Sequence, residues 1–554
     1  MIPARKRVEV WVKVVFVFTL ASALLLPEAV AQSLYPSSVQ KFVDPLPRVC
    51  GVIPTFDGAG NATCLAMTNT PVGGKDYYTI GERQFDQPVL SCSDDNPSPG
   101  CTGQLPKTTV WGFGPDTAAT DVCGGAITRN CFHYPAATVV ATVKKTVQVK
   151  WINQLKDSNG DFVTYPPGVP FVQNHHWANP SNSCDPGGRG TDCTGPGGFY
   201  FGPVPTVVHL HGIRADSESD GIPEAWNLPA ANNIPDGFAT HGSDYCQVTA
   251  GGARSCAYHN DGAALFEYPN VQYASTLFFH DHTLGATEQN VYMGLVGFYL
   301  LAGGPNHHLD APVDCGNSQT KNNPSCKTGG LPGANFEIPM AIQDKAFNTD
   351  GSLFFTSSGN IKVVNGKTWP YVNVEPRKYR LRLVNGSDES FFLLSLTNGL
   401  SFTQIGGDSG FLPHPAAVNT LSITPGERAD VVVDFSPLDG CTGAECNVTL
   451  LDAGASGDAG QVMQFKVGAL SAADTSAIPN ALPHQAPLCP AGNACETSTR
   501  KVALFDHLLG LFQGGNAVSM KWDEPITETV TLGKNGAATT EVWEIHDLKD
   551  DHPI

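Results

Sequence analysis

The clearest pattern along the chain is a short-range alternation of polar and apolar residues, which predicts β-strands rather than helices. One version of this pattern recurs three times, at residues 145–155, 377–385 and 540–548. Each copy carries Asn or Asp near its end, where strand pairing is expected to stop. Threefold recurrence of the same strand predicts three similar β-domains in series.

Long helical periodicity is almost absent, and a short helical turn is predicted only at residues 281–290. We therefore expect an all-β fold of tandem Greek-key β-sandwiches. Candidate boundaries at residues 303–333 and 471–490 divide the chain into segments 32–310, 330–470 and 498–554. The last segment is too short to close a sandwich, so we expect two complete sandwiches and an incomplete third, with the chain truncated there.

Composition agrees with this organisation. The 554 residues suit about three domains. Charged residues make up 15% and hydrophobic residues 41%, with 58 Gly and 42 Pro. Sandwiches joined by many turns fit this mixture better than helical bundles, whose surfaces need more Lys and Glu.

The first 31 residues have the features of a signal peptide. Basic residues at positions 5, 6, 7 and 13 precede an apolar run at 14–26, and Ala29-Val30-Ala31 forms a small-x-small cleavage site. An uncleaved membrane anchor is the alternative, but the run is short for a bilayer. We expect cleavage after Ala31, a secreted or periplasmic product, and no later membrane-spanning segment.

The chain is acidic, with a formal net charge of −19. Removing residues 1–31 takes away four basic and two acidic residues, which moves the formal charge from −19 to −21. Such a surface repels nucleic acid and anionic membranes, so we expect no nucleic-acid partner. A generic solvated surface is the better explanation of the acidity.

The sixteen cysteines fall into eight sequence neighbours, most of them enclosing turn-rich loops. In an exported protein this arrangement predicts local disulfides and leaves no thiol for a metal. The predicted pairs are Cys50/Cys64, Cys92/Cys101, Cys123/Cys131, Cys184/Cys193, Cys246/Cys256, Cys315/Cys326, Cys441/Cys446 and Cys489/Cys495.

Two histidine pairs carry the candidate chemistry: His209-Leu210-His211 and His280-Asp281-His282. Each follows an apolar run, so each is expected on a strand, with both histidines on one face and roughly 6.6 Å apart. That spacing suits imidazoles that serve neighbouring metal ions. A single pair of this kind is more often incidental, whereas two favour a metal site. Imidazole suits copper, zinc, iron and nickel alike.

The context of these pairs resembles the multicopper oxidase family. His209-Leu210-His211-Gly212 with Ser-Asp-Gly-Ile-Pro-Glu-Ala-Trp at 219–226 is similar to the first copper motif of that family. His280-Asp281-His282 with 290–297 resembles the second, and His552-Pro553-Ile554 the opening of the third. Residues 364–370 and 374–380 look like the second cupredoxin domain of the bacterial spore-coat laccases. Within the family, the run at 219–226 is most similar to the spore-coat laccase, bilirubin oxidase and phenoxazinone synthase group.

The resemblance implies copper as the cofactor and a role for each matching residue. His209 would bind the type 2 copper, and His211, His280 and His282 the type 3 pair. His552 would be the first type 1 ligand. Asp220 matches an acidic residue that assists protonation of oxygen intermediates, although Ser-Asp-Gly is also a good turn sequence. The implied partners are dioxygen and a small aromatic reducing substrate, such as a phenol or aromatic amine, or else a metal ion.

The chain departs from the family pattern at all three copper sites: the type 2 site lacks one histidine, the type 3 pair lacks three of its six, and the type 1 site lacks its cysteine, second histidine and axial methionine. None of its cysteines lies in a His-Cys-His context, so the type 1 thiolate is missing. We therefore expect the chain to be inactive alone. The rival interpretations are a non-enzymatic exported copper-binding or structural protein, the product of a broken gene, and a zinc- or iron-dependent enzyme. Oligomeric state does not follow from these residues.

Overall fold

The structure of the chain is a computed structural model. It describes residues 33–51, 64–67, 69–95, 97–116, 131–171, 199–234, 239–242, 246–248, 254–256, 258–260, 262–303, 330–484, 498–505, 508–513, 516–519 and 541–548. Among these residues no helix has the length and apolar composition needed to cross a bilayer. The predicted signal peptide and His552 lie outside the described residues.

Two facing sheets between residues 76 and 302 form a first sandwich. One sheet has the order β2-β1-β4-β9-β8 and the other β3-β11-β10-β5, while β6 pairs only with β7. The elements are β1 (Asp76–Gln87), β2 (Thr108–Pro115), β3 (Ala136–Thr142), β4 (Val147–Asn153), β5 (Val208–His211), β6 (Cys246–Val248), β7 (Arg254–Cys256), β8 (Tyr258–Asn260), β9 (Ala263–Tyr268), β10 (Ser275–Asp281), α1 (Thr287–Met293) and β11 (Val296–Ala302).

A second sandwich follows between residues 337 and 467. Its sheets have the orders β15-β14-β12-β17-β22-β19-β20, with β13 beside β12, and β16-β24-β23-β18-β21. The strands are β12 (Glu337–Phe347), β13 (Leu353–Phe354), β14 (Ile361–Val364), β15 (Lys367–Thr368), β16 (Tyr371–Val374), β17 (Lys378–Asn385), β18 (Phe392–Leu396), β19 (Phe402–Gly407), β20 (Gly410–Val418), β21 (Thr420–Ile423), β22 (Arg428–Asp434), β23 (Asn447–Asp452) and β24 (Gln461–Val467).

A further sheet, β27-β26-β25-β28, lies near the C-terminal end of the described residues and contains β25 (Ser498–Phe505), β26 (Leu508–Gln513), β27 (Asn516–Ser519) and β28 (Glu541–Asp547). Short 3-10 helices cover Pro36–Ser38, Ser217–Ser219, Ala334–Phe336, Ser436–Leu438 and Ala444–Cys446. The described residues are thus predominantly β, as the sequence predicts. The predicted helical turn is displaced: Asp281 ends β10, and α1 begins only at Thr287.

The three repeated strand patterns occupy the same place in their sheets. They form β4, β17 and β28, and each pairs in parallel with the first strand of its region: β1, β12 and β25. The Asn at the end of the first two copies caps a loop. Asn153 Nδ2 donates to the carbonyls of Val204 and Asn227, and Asn385 Nδ2 donates to two backbone carbonyls in the same way. The ladder stops at both asparagines.

Three of the predicted disulfides are confirmed: Cys50–Cys64, Cys92–Cys101 and Cys441–Cys446. Cys131 is also disulfide-bonded. Cys246 and Cys256 face each other across the β6–β7 ladder. The other predicted half-cystines lie outside the described residues: Cys123, Cys184, Cys193, Cys315, Cys326, Cys489 and Cys495.

The first sandwich has an aromatic core. Phe113, Trp151 and Phe279 pack against one another, with ring centroids 5.1–5.7 Å apart. Phe279 lies on β10, and successive strand residues point to opposite faces. Its neighbours on β10, Phe278 and His280, therefore project from the outer face of the sheet. Strands β19, β20 and β22 of the second sandwich contact β10.

One carboxyl group lies inside this core. Glu82 on β1 is 1% exposed, hydrogen-bonds Thr206 and has an Oε2 atom without a hydrogen-bond partner among the described residues. A cavity of about 10 Å³ adjoins Glu82 and is also lined by Asn153 and Asn227. This volume is enough for about one water molecule. Burial, and secondarily the charge of Asp281, raises the pKa of Glu82 to about 8.

This carboxyl should make stability depend on pH. The unfolded chain ionises Glu82 near its ordinary value of 4.5, whereas the folded protein keeps it protonated up to about 8. Stability therefore falls as pH rises from about 4.5 to about 8. We expect Glu82→Gln to match the wild type near pH 4 and to unfold at a higher urea concentration than the wild type at pH 8.

The matched control is Glu389→Gln, since Glu389 is exposed. Its stability should follow that of the wild type at every pH. Parallel curves for the wild type and Glu82→Gln, from pH 4 to pH 9, would show that Glu82 is ionised in the folded protein.

Candidate metal centre

The two histidine pairs lie on neighbouring strands. β5 pairs antiparallel with β10, and in this register His209 is opposite His280 while His211 is opposite Phe278. Residues opposite each other, and residues two apart on one strand, share a face of the sheet. His282 directly follows β10, and its N–H donates to the carbonyl of Val207. All four imidazoles are therefore brought to the same face.

The rings are close together. Centroid distances are 5.0 Å for His209–His282, 5.5 Å for His211–His280 and 5.6 Å for His280–His282. His211 Nδ1 and His280 Nε2 are 3.2 Å apart. Two nitrogens at this separation fit as ligands of a single ion, given metal–imidazole distances of about 2.0–2.1 Å.

Hydrogen bonds to backbone carbonyls orient two of the rings. His209 Nδ1 donates to the carbonyl of Asp220, and His280 Nδ1 donates to that of Asp281 at 2.7 Å. A carbonyl oxygen only accepts, so these Nδ1 atoms carry the proton and each Nε2 keeps a lone pair for a metal. His282 Nδ1 is buried and has no hydrogen-bond partner among the described residues.

The environment favours neutral rings. Burial lowers the pKa of His211 to about 3 and that of His282 to about 4. The pKa of His280 lies well below its ordinary value, again mainly through burial. Charges add to this effect: Arg428 acts on His211, and the histidines act on one another. Neutral imidazole is the form that binds metals, so the donor set fits a copper ion at neutral pH.

Asp281 fixes the two strands from the other side of the sheet. Its carboxylate is fully buried and accepts four hydrogen bonds, at 2.9–3.1 Å. The donors are Val207 N, Thr283 N, Thr283 Oγ1 and Asn290 Nδ2. Burial nevertheless raises the pKa of Asp281 to about 7. Val207 precedes β5, Asn290 lies on α1, and Asp281 itself ends β10. The Asp281 side chain therefore ties these three segments together.

Asp220 lies at the edge of the cluster. Its Oδ1 is 3.6 Å from His209 Nδ1, and its side chain is 42% exposed. It also ends the 3-10 helix Ser217–Ser219, and Gly221 follows with φ +74°. Asp220 is therefore both a turn residue and a carboxylate between solvent and the histidines. Its catalytic role stays a prediction.

Four further residues shape the centre; the sequence indicated Gly221 only as part of a turn, and gave Phe278, Gly426 and Arg428 no role. Phe278 stacks on His211 and His280, with centroids 4.8 and 5.1 Å away. Gly221 lies so close to β5 that a Cβ on it would be 2.1 Å from the carbonyl oxygen of Val208. Gly426 and Arg428 reach His211 from the second sandwich. The period of two along β10 could have indicated Phe278, because it precedes His280 by two residues.

Gly221 offers a test of the turn that orients His209. We expect Gly221→Ala to lower the free energy of unfolding by about 1–3 kcal/mol, as overpacking does. It should also weaken Cu(II) binding, because the Asp220 carbonyl moves away from His209. Chemical denaturation and competition with a chromogenic chelator measure the two effects.

Gly74→Ala is the matched control. Gly74 also has positive φ, at +84°, but a Cβ there would meet nothing within 4 Å. Like Gly221→Ala, it carries the strain of Ala at positive φ, about 1–2 kcal/mol, but it adds no overpacking. It should therefore cost less than Gly221→Ala and leave Cu(II) affinity unchanged. Equal costs and equal affinities for the two variants would contradict a special role for the Asp220 turn.

Comparison with known proteins gives consistent results. The model of the family described as Multicopper oxidase matches residues 334–440. The chain is 30% identical to the laccase of Bacillus subtilis (strain 168) over 487 residues, which cover 82% of this chain and 75% of that laccase. It is 29% identical to multicopper oxidase LPR1 of Arabidopsis thaliana over 471 residues, covering 81% and 68% of the two chains.

Solved structures show the same fold. The crystal structure of a laccase from Pediococcus acidilactici matches with a TM-score of 0.54 at 17% identity, covering 92% of this chain and 83% of that one. A multicopper oxidase from Campylobacter jejuni, described as a metallo-oxidase, gives 0.53 at 13% identity, covering 94% and 82%. The expected cupredoxin-like β-fold is thereby confirmed. The chain belongs to the multicopper oxidase family, whose members are copper-dependent oxidoreductases.

Proposed function

We propose that this chain belongs to a laccase-like oxidase that couples one-electron oxidation of small aromatic substrates to the reduction of dioxygen to water. The observation that carries the proposal is the cluster of four imidazoles on one face of β5 and β10, three of them with lowered pKa. The similarity to the Bacillus subtilis laccase supports the reaction type. Metal ions are the alternative reducing substrates.

The ligand assignment comes from the family resemblance, and the geometry of the cluster supports it. His211 and His280 would hold one copper of the type 3 pair, because their Nδ1 and Nε2 atoms are 3.2 Å apart. His282 would serve the other type 3 copper and His209 the type 2 copper, with His552 at the type 1 site. Bound copper in such a centre accepts electrons one at a time and supplies them to dioxygen.

The chain's own residues prepare this chemistry. The carbonyls of Asp220 and Asp281 hold the protons of His209 and His280 on Nδ1, so the opposite nitrogens are ready to bind metal without rearrangement. Asp220, with 42% of its side chain exposed, can exchange protons with solvent beside His209. We assign it the delivery of protons to bound oxygen.

The wider organisation is also part of the proposal. Residues 32–310, 330–470 and 498–554 would belong to three cupredoxin-like domains, and residues 1–31 would be a cleaved signal peptide. The mature protein would then act outside the cytoplasm, as a secreted or periplasmic protein. The acidic charge, −19 before cleavage, argues against nucleic acid as a partner.

One observation favours a second candidate function. The sixteen cysteines include none in a His-Cys-His context, and the type 1 centre needs that thiolate to receive electrons. These 554 residues would then bind copper without turning over a substrate. A non-enzymatic copper-binding role is the runner-up for the chain by itself.

Copper loading tests both possibilities. We expect the purified chain to bind copper, in fewer equivalents than the four of a complete family member. We also expect no intense blue absorption and no oxidation of a laccase dye. His280→Ala should lower the bound copper, measured by elemental analysis after removal of excess metal, because it deletes a central ligand.

His414→Ala is the control, since His414 is exposed on β20 and bonds the carbonyl of Asn480 instead. It should bind as much copper as the wild type. Dye oxidation by the copper-loaded chain would overturn the expectation of inactivity. Failure of the wild type to retain any copper would overturn the proposed function.

A further inference from the structure

The second sandwich forms one wall of the histidine cluster. A Cβ on Gly426, where φ is +77°, would lie 3.1 Å from Cε1 of His211. A Cβ on Gly212, next to His211, would lie 2.6 Å from Nη2 of Arg428. Two glycines therefore let the start of β22 approach the cluster closely, and they bring a positive charge with it.

The guanidinium of Arg428 is held in place on several sides. Nε donates to the carbonyl of Thr276 on β10 at 3.3 Å, and Nη1 donates to that of Gly426 at 2.8 Å. Nη1 is also 3.1 Å from a carboxylate oxygen of Asp408. The side chain of Arg428 is only 3% exposed, whereas that of Asp408 is 47% exposed. Solvent therefore screens the negative partner much more than the positive one.

An aromatic ring connects this charge to the metal-binding rings. The guanidinium carbon lies 5.7 Å from the centroid of Phe278. Phe278 in turn stacks on His211 and His280. Arg428 is therefore joined to both metal-binding rings through a single aromatic side chain, and its Nη2 atom lies against Gly212, the residue next to His211.

We propose that Arg428 is a positioning residue of the metal centre, whose buried positive charge favours the cuprous over the cupric state of an ion held by His211 and His280. The proposal rests on the proposed function. A fixed positive charge repels Cu(II) more strongly than Cu(I), because the interaction energy scales with the charge of the ion. Arg428 acts on the ion through its electrostatic field and on the two histidine rings through its contact with Phe278, without being a ligand.

The test compares affinities for the two oxidation states. The full chain is titrated with Cu(I) under anaerobic conditions and with Cu(II), each against a competing chromogenic chelator. We expect Arg428→Met to lower the ratio of the Cu(II) dissociation constant to the Cu(I) dissociation constant by about tenfold. This is the order expected when one buried unit charge near the ion is removed. Arg428→Lys, which keeps the charge, should stay close to the wild-type ratio.

Asp408→Asn changes the same field in the opposite direction. It removes the counter-charge but keeps an oxygen that can accept the 2.7 Å hydrogen bond from the Arg428 backbone N–H. We expect it to raise the ratio. Because Asp408 is half exposed, this variant decides the question even if Arg428→Met does not fold.

The outcomes separate the two proposals. Opposite shifts in Arg428→Met and Asp408→Asn support the electrostatic role, as does the Asp408→Asn shift alone if Arg428→Met is unfolded. A wild-type chain that binds copper, with the ratio unchanged in every folded variant, overturns the role and leaves Arg428 as a structural contact between β22 and β10. A wild-type chain that binds no copper overturns the proposed function, and this inference with it.

Discussion

The buried carboxylate of Asp281 holds together the part of the fold on which the metal centre depends. It lies between His280 and His282 in sequence but points to the opposite face, into the core of the first sandwich. Four hydrogen-bond donors compensate for its burial: the N–H of Val207 just before β5, the N–H and hydroxyl of Thr283, and the amide of Asn290 on α1. These bonds fix β5 against β10 in the register that places His209 opposite His280. A slip of one residue would turn one histidine pair away from the other.

The centre built on this register is preorganised at a cost. Imidazole nitrogens with unused lone pairs lie close together in a largely buried space, and burial keeps the rings neutral. Glu82, which lies on β1 in the facing sheet, adds a second buried carboxyl group to the core near Asp281. Natural proteins retain unfavourable arrangements of this kind mainly where function requires them. The second sandwich forms one wall of the site, since Gly426 packs against His211 and Arg428 against Gly212.

Local patterns in the sequence predicted the strands well. They could not predict contacts between segments that are distant in the chain. The repeats at 145–155, 377–385 and 540–548 became β4, β17 and β28 because alternation reports a half-buried strand directly. The turn at 281–290 was placed too early, since the hydrogen bonds of Asp281 keep it in β10 and delay the helix to Thr287. The approach of Arg428 to His211 spans more than 200 residues of chain and has no local signal. The family resemblance indicated the histidines, but only the structure showed what orients them.

The central claim is that the four clustered imidazoles form a copper-binding centre. Anomalous diffraction at the copper absorption edge, from crystals of the copper-loaded chain, tests it most directly. We expect a peak between His211 Nδ1 and His280 Nε2, about 2.0–2.1 Å from each, as is usual for metal–imidazole bonds. Anomalous peaks confined to other histidines, with none between β5 and β10, would contradict it.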